Sequence, residues 1–145
     1  VIDDTPECQR AVHYAGMRAK NSNGAVVLLY VIANADFQQW LGVEEIMRAE
    51  AREAAEAVLA KAGQALREAI GIEPETVIRE GVASEAINGL IEEDRDIAIL
   101  VLAAGSSKEG PGPLVTSLAS RAQAFPIPVT VIPDSLSDEE LDALS

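Results

Sequence analysis

The chain has 145 residues and a formal net charge of −13, from 24 Asp and Glu against 11 Lys and Arg. This length suits one domain with a full core, and the acidic balance argues against nucleic acid, which is gripped by clustered Lys and Arg. The longest apolar run falls well short of the roughly 20 residues of a membrane helix, and one Cys with one His gives neither an internal disulfide nor a metal-ligand set, which fits a reducing, cytoplasmic setting.

Val1-Ile2-Asp3-Asp4 reads as the end of a first strand, so further residues are expected ahead of Val1. Asp4-Thr5-Pro6-Glu7 is a helix start: a capping Asp or Thr, Pro at the first helical position, then an acid near the positive end. Cys8, Ala11, Val12, Ala15 and Ala19 follow at helical spacing as a core-facing stripe, with His13 and Tyr14 off it. Asn21-Ser22-Asn23-Gly24 closes that helix, and Ala25 to Ile32 is a second strand, apolar throughout. Ala33 to Gly42 is irregular and holds Phe37 and Trp40, read as anchors of a long connection in preference to a lid over a ligand. From Val43 to Ile70 a long helix is expected, with Met47, Ala51, Ala54, Val58, Ala62, Ala65 and Ala69 facing inward.

Gly71 ends that helix, and Thr76 to Arg79 is a more polar strand suited to a place near the sheet edge. Gly81-Val82-Ala83-Ser84 turns into a helix with Ala86, Ile87, Leu90 and Ile91 inward. The run Ile97 to Ala104 is a fourth strand, buried on both faces as in a parallel sheet covered by helices. It stops at Gly105, and a loop with Ser106, Ser107, Lys108, Gly110 and Gly112 leads into a helix over Leu114 to Ala124. A glycine-rich turn opening a helix offers N–H groups and a positive dipole end to an anion, at the strand carboxyl ends where such sheets take ligands. The plainer alternative is a connecting loop. Val129 to Ile132 is a fifth strand. In the tail, Ser137 with Glu140 forms a capping box and Leu136 with Leu141 a staple; a helix so short is marginal alone and is expected to dock on the body or on a partner chain. The alternation of strands and helices gives an α/β fold, a parallel sheet with helices on both faces, over residues 1–133, with 134–145 as the tail.

Four stretches in this order resemble the universal stress protein family. Ile2-Asp3-Asp4-Thr5 is similar to its strand-one ending Val-Asp-Gly-Ser, and Leu28-Leu29-Tyr30-Val31-Ile32 to its Leu-Leu-His-Val. Asp96-Ile97 with the run to Gly105 is similar to Asp-Leu-Ile-Val-Met-Gly, and Pro126-Ile127-Pro128-Val129 to Pro-Cys-Pro-Val. The resemblance implies a three-layer, Rossmann-like α/β/α sandwich of the adenine nucleotide alpha hydrolase type, with a five-stranded parallel sheet in the order 3-2-1-4-5. It implies a homodimer formed through the fifth strand, Val129 to Ile132, to which the tail, if it docks on a partner chain, adds a second contact. It also implies a site for ATP or AMP, in which Asp3 and Val31 meet the adenosine half. Family members that hold nucleotide use Gly, two residues, Gly, nine residues, then Gly and Ser or Thr. Here Gly105 and Ser117 match the ends, Lys108 and Thr116 stand at the positions of the second and third glycines, and the segment is two residues shorter, a degenerate form of the motif.

The candidate ligand-binding set is Asp3, Val31, Gly105, Ser106, Lys108, Thr116 and Ser117. Lys108 is the loop's cation, and the Thr116 and Ser117 hydroxyls either donate to an anion or cap the next helix. No catalytic residue is assigned: nucleophilic hydrolysis would need the lone His13, and there is no Gly-x-Ser-x-Gly elbow. The function expected is a stress-response sensor or interaction module. The alternatives are a slow nucleotide hydrolase with Asp3 on magnesium, and a dimerisation module with a vestigial site.

Overall fold

The computed structural model describes residues 1–33, 44–106, 110–120 and 125–145, and the side chains of all of these except 44 and 117–120. The elements alternate as the apolar pattern predicts: α1 (Cys8–Ser22), β1 (Val27–Ile32), α2 (Glu44–Ala69), β2 (Glu75–Glu80), α3 (Ala83–Glu93), β3 (Leu100–Ala104), α4 (Pro113–Ser120), β4 (Val129–Pro133) and α5 (Asp138–Leu144). Phe37 and Trp40 lie outside the described residues, as do the last four residues, 121–124, of the helix expected to reach Ala124.

The fold is α/β with parallel strands. The expected five-stranded ladder is present as two parallel pairs, β1 with β2 and β3 with β4. At the place of the expected first strand the structure has one bridge, Ile2 to Tyr30. That bridge still joins the halves: Ile2 N donates to Leu29 O at 2.7 Å, while Val1 N donates to Val101 O at 3.2 Å. The order across the molecule is therefore β2, β1, the Ile2 segment, β3, β4, which corresponds to the expected 3-2-1-4-5.

Both faces of the strands are covered. From β1, Leu28 packs with Cys8, Val12 and Leu66 under α1 and α2, Ile32 meets Ala55 of α2, and Leu29 turns to Ile87 and Ile91 of α3. Leu102 of β3 joins that second cluster, which Leu114 and Val115 of α4 flank. β2 is exposed at both ends and half-buried in the middle, as its polarity predicts.

Two readings of local detail change. Neither Asp4 nor Thr5 caps α1. Asp3 does the nearest equivalent, accepting from Thr5 N at 3.0 Å and from the Thr5 hydroxyl, and the helix begins at Cys8 after turns in which Cys8 N and Gln9 N donate to Thr5 O and Pro6 O. In α2, Ala54, Ala65 and Ala69 are exposed, while Ala55, Leu59 and Leu66 take the core. Burying two leucines in place of alanines removes far more apolar area from water, so the helix is turned toward its larger side chains. At the far end of α1 the closing signal holds: Asn23 adopts φ 58°, and its N–H and that of Gly24 bond back to the last turn.

The tail docks on the body. Leu141 is fully buried against Ala11 of α1 and Ile132 of β4, with Leu136 beside it, and Ser137 and Glu140 form the capping box. Arg10 pairs with Asp138, and His13 Nε2 lies 2.6 Å from Asp142 Oδ1. α5 thus packs chiefly on α1, with Leu141 reaching Ile132 of β4. No helix among the described residues is long and apolar enough to cross a membrane.

Candidate ligand-binding site

Parallel strands bring their carboxyl ends to one side of the molecule. In the register that pairs Ile2 with Tyr30, the next residues up are Asp3 and Val31. On the other side of Asp3, β3 ends at Ala104 and delivers Gly105 and Ser106. The structure thus brings Asp3, Val31, Gly105 and Ser106 to a common end. Val31 presents only its strand end there, its side chain packing toward α3. The Asp3 carboxylate is exposed and occupied by Thr5.

The described ends of the loop after β3 meet. Gly105 N donates to Pro111 O at 3.3 Å. Ser106 donates to Asp134 Oδ2 twice, from its N–H at 3.1 Å and from its hydroxyl at 2.9 Å. Asp134 N in turn donates to Ala104 O at 3.1 Å, so β4 and the loop are tied on both sides of Asp134. Its second oxygen, Oδ1, is buried with no hydrogen-bond partner among the described residues. Gly105 is close to Glu7: a β-carbon there would stand 2.9 Å from Glu7 Oε1. Gly110 and Gly112 have φ +93° and +108°, conformations that L side chains rarely adopt. Thr116 Oγ1 donates back to the carbonyl of Gly112, the residue just ahead of α4, at 2.8 Å. Ser117 belongs to α4, with its side chain outside the described part of the chain, and Lys108 lies outside the described residues.

Asp134 and Glu7 are the groups that sequence reasoning missed. Glu7 reads as a cap acid, and Asp134 is 28 residues from Ser106. The one available signal was position, since Asp134 follows the fifth expected strand as Asp3 follows the first. Cys8 lies in the core, and burial pushes its thiol pKa up, so it is held as the thiol.

A cleft of about 500 Å³ runs between α1 and α2, from Asp3 and Pro6 down to Ala69 and Ile70. Of the candidate set it takes in Asp3 alone among the described residues. Its floor at Cys8, Val12 and Leu66 is buried, while Val58, Ala62, Ala65 and Ala69 on its α2 side are half-buried or exposed. No group of three or more His, Cys, Asp or Glu placed to hold a metal occurs among the described residues.

A family model described as the universal stress protein family matches residues 1–133. Among solved structures, the chain is similar to the universal stress protein UspA from Lactobacillus plantarum, with TM-score 0.70 and 21% identity over 90% of this chain and 92% of that one. It is likewise similar to the hypothetical protein MJ0577, whose title concerns a structure-based assignment of biochemical function, with TM-score 0.68 and 19% identity over 94% of each chain. A third, the hypothetical protein PH0823, aligns with TM-score 0.68 and 23% identity over 93% of each chain. No curated protein sequence matches. α5 lies beyond the matched 1–133.

Proposed function

The chain belongs to the universal stress protein family, and from that premise we propose a stress-response sensor or interaction module that takes an adenine nucleotide or another small anion at the carboxyl ends of its parallel strands. The supporting observation is the convergence of Asp3, Val31 and Gly105 at one end of the molecule. In this reading Asp3 and Val31 meet the adenosine half, and Gly105 and Ser106 lie beside the rest of the ligand. Calorimetric titration with adenosine, AMP and ATP, with and without Mg²⁺, tests it. Saturable heat from at least one of these is expected, and no heat and no thermal shift from any of them at millimolar concentration would remove the ligand from the proposal.

A second reading, a homodimer through β4, has its own support. β4 pairs only with β3 among the described strands, and Val131 is 38% exposed. Asp134 N bonds inward to Ala104 O, so by alternation the N–H of Val131 points to the open edge, and Pro133, which has none, falls in the same outward phase. Val131→Pro removes an outward donor without removing a ladder bond. Sedimentation should find a dimer for the parent and a monomer for this variant; a monomeric parent excludes the dimer.

A further inference from the structure

We propose that the cleft between α1 and α2 binds a small amphipathic acid, its apolar body lying between the helices and its carboxylate on the ammonium of Lys61. The cleft is separate from the ligand site at the strand carboxyl ends, with whose candidate residues it shares Asp3 alone among the described residues.

The two helices touch where Gly16 lies against Leu66 and Ile70, with no room for a β-carbon. Beside that contact they enclose about 500 Å³, within the roughly 300–1,000 Å³ of sites for small molecules. Protein interiors are close-packed, with few voids larger than a water molecule, so a space of this size between two packed helices stands open to solvent. Its floor is apolar and buried at Val12 and Leu66. The α2 wall presents Ala62, Ala65 and Ala69, half-buried or exposed, where larger side chains would close the gap. An apolar body laid along the cleft takes this wall out of water.

Charge complementarity decides the other end of the ligand. Most of the charged groups around the cleft have partners: Asp3 accepts from Thr5, Arg10 pairs with Asp138, and His13 lies against Asp142. Lys61 has neither a hydrogen bond nor an ion pair among the described residues. It shares a face of α2 with Val58 and Ala65, three and four residues away, and so belongs to the wall itself. Asp4, the acid without a partner, stands in the turn ahead of α1, outside the helical walls. A ligand held between the helices thus meets the uncompensated charge of Lys61, which a carboxylate matches. The chain as a whole carries −13 and draws cations in preference to anions, so indiscriminate adsorption has the opposite preference.

The test is calorimetric titration of the full chain with octanoate, 1-octanol and octylammonium, in the parent and in Lys61→Met, Ala65→Phe and Ala69→Phe. All three positions are exposed, and each variant is first melted to establish that it is folded. In the parent, octanoate should bind about fivefold more tightly than 1-octanol and about tenfold more tightly than hexanoate, with octylammonium the weakest. Lys61→Met keeps an apolar stem and removes the ammonium; octanoate should fall to the level of 1-octanol, and 1-octanol should not change. The phenylalanines fill the cleft and should weaken octanoate and 1-octanol alike, by about tenfold. The inference is overturned if octylammonium binds as tightly as octanoate, if Lys61→Met leaves octanoate unchanged, if both phenylalanine variants bind octanoate as the parent does, or if none of the alkyl compounds gives heat or a thermal shift at millimolar concentration.

Discussion

Gly16 sets how closely α1 and α2 approach. A β-carbon on it would stand 2.5 Å from Leu66 Cδ2 and 2.6 Å from Ile70 Cδ1, and both side chains are buried, at 1% and 8% exposure. Replacing a helical glycine by alanine gains about 1 kcal/mol of helix propensity, while overpacking costs about 1–3 kcal/mol, so the clash outweighs the gain. Gly16→Ala should lose about 1 kcal/mol and Gly16→Val about 3 kcal/mol, read from urea midpoints. Cys8 makes the pH argument at this scale. Burial, the largest cause, raises its pKa above the ordinary value of 9.0. The folded state then holds its proton where the unfolded state releases it, so this contribution to stability is complete below pH 9 and is lost as pH climbs beyond it. Denaturation midpoints between pH 8 and 10 should fall more steeply for the parent than for Cys8→Ala; equal slopes would contradict this. Alkylation of Cys8 should be slow in the native protein and fast in denaturant.

At the scale of elements, α5 poses a choice between charge and burial. Arg10 with Asp138 and His13 with Asp142 are pairs whose acids are 58% and 46% exposed, and surface pairs of this kind contribute about 0–1 kcal/mol each. Leu141, wholly buried, contributes more than either pair: Leu→Ala in a core costs about 2–5 kcal/mol. Leu141→Ala should therefore lower the unfolding free energy by about 3 kcal/mol, and Arg10→Ala by less than about 1 kcal/mol, in the same denaturation assay. The elements themselves were readable because continuous apolar runs between glycine, proline and asparagine mark them, and the capping box at Ser137 was readable as a spacing. The inward face of α2 was not, since its many alanines satisfy several stripes and only Leu59 and Leu66 decide between them. The Ser106–Asp134 contact was not either, because it depends on β3 and β4 lying side by side, a fact of topology and not of spacing.

For the molecule as a whole, a net charge of −13 works against compactness. Ion pairs such as Arg67 with Glu73 and Arg79 with Glu93 relieve this only locally. Because 24 acids face 11 bases, self-repulsion outweighs these attractions, and salt screens it. Raising NaCl from low ionic strength to about 0.5 M should stabilise the protein by about 1 kcal/mol, or roughly 3 °C in melting temperature. A melting temperature that falls with salt would mean that the ion pairs outweigh the repulsion.

The docking of α5 also has a bearing on the order of assembly. Its bonds to α1 join residues 128 and 129 positions apart, and Leu141 is buried between Ala11 and Ile132, a niche that exists only after α1 and β4 have come together. A helix of seven residues does not hold itself together while it waits. Its contacts therefore form after the folding barrier is crossed, and their loss acts on the reverse reaction. Stopped-flow measurements on Leu141→Ala should find the unfolding limb of the chevron raised and the refolding limb in place, so that α5 governs how long the native state lasts and has little part in how fast it is reached.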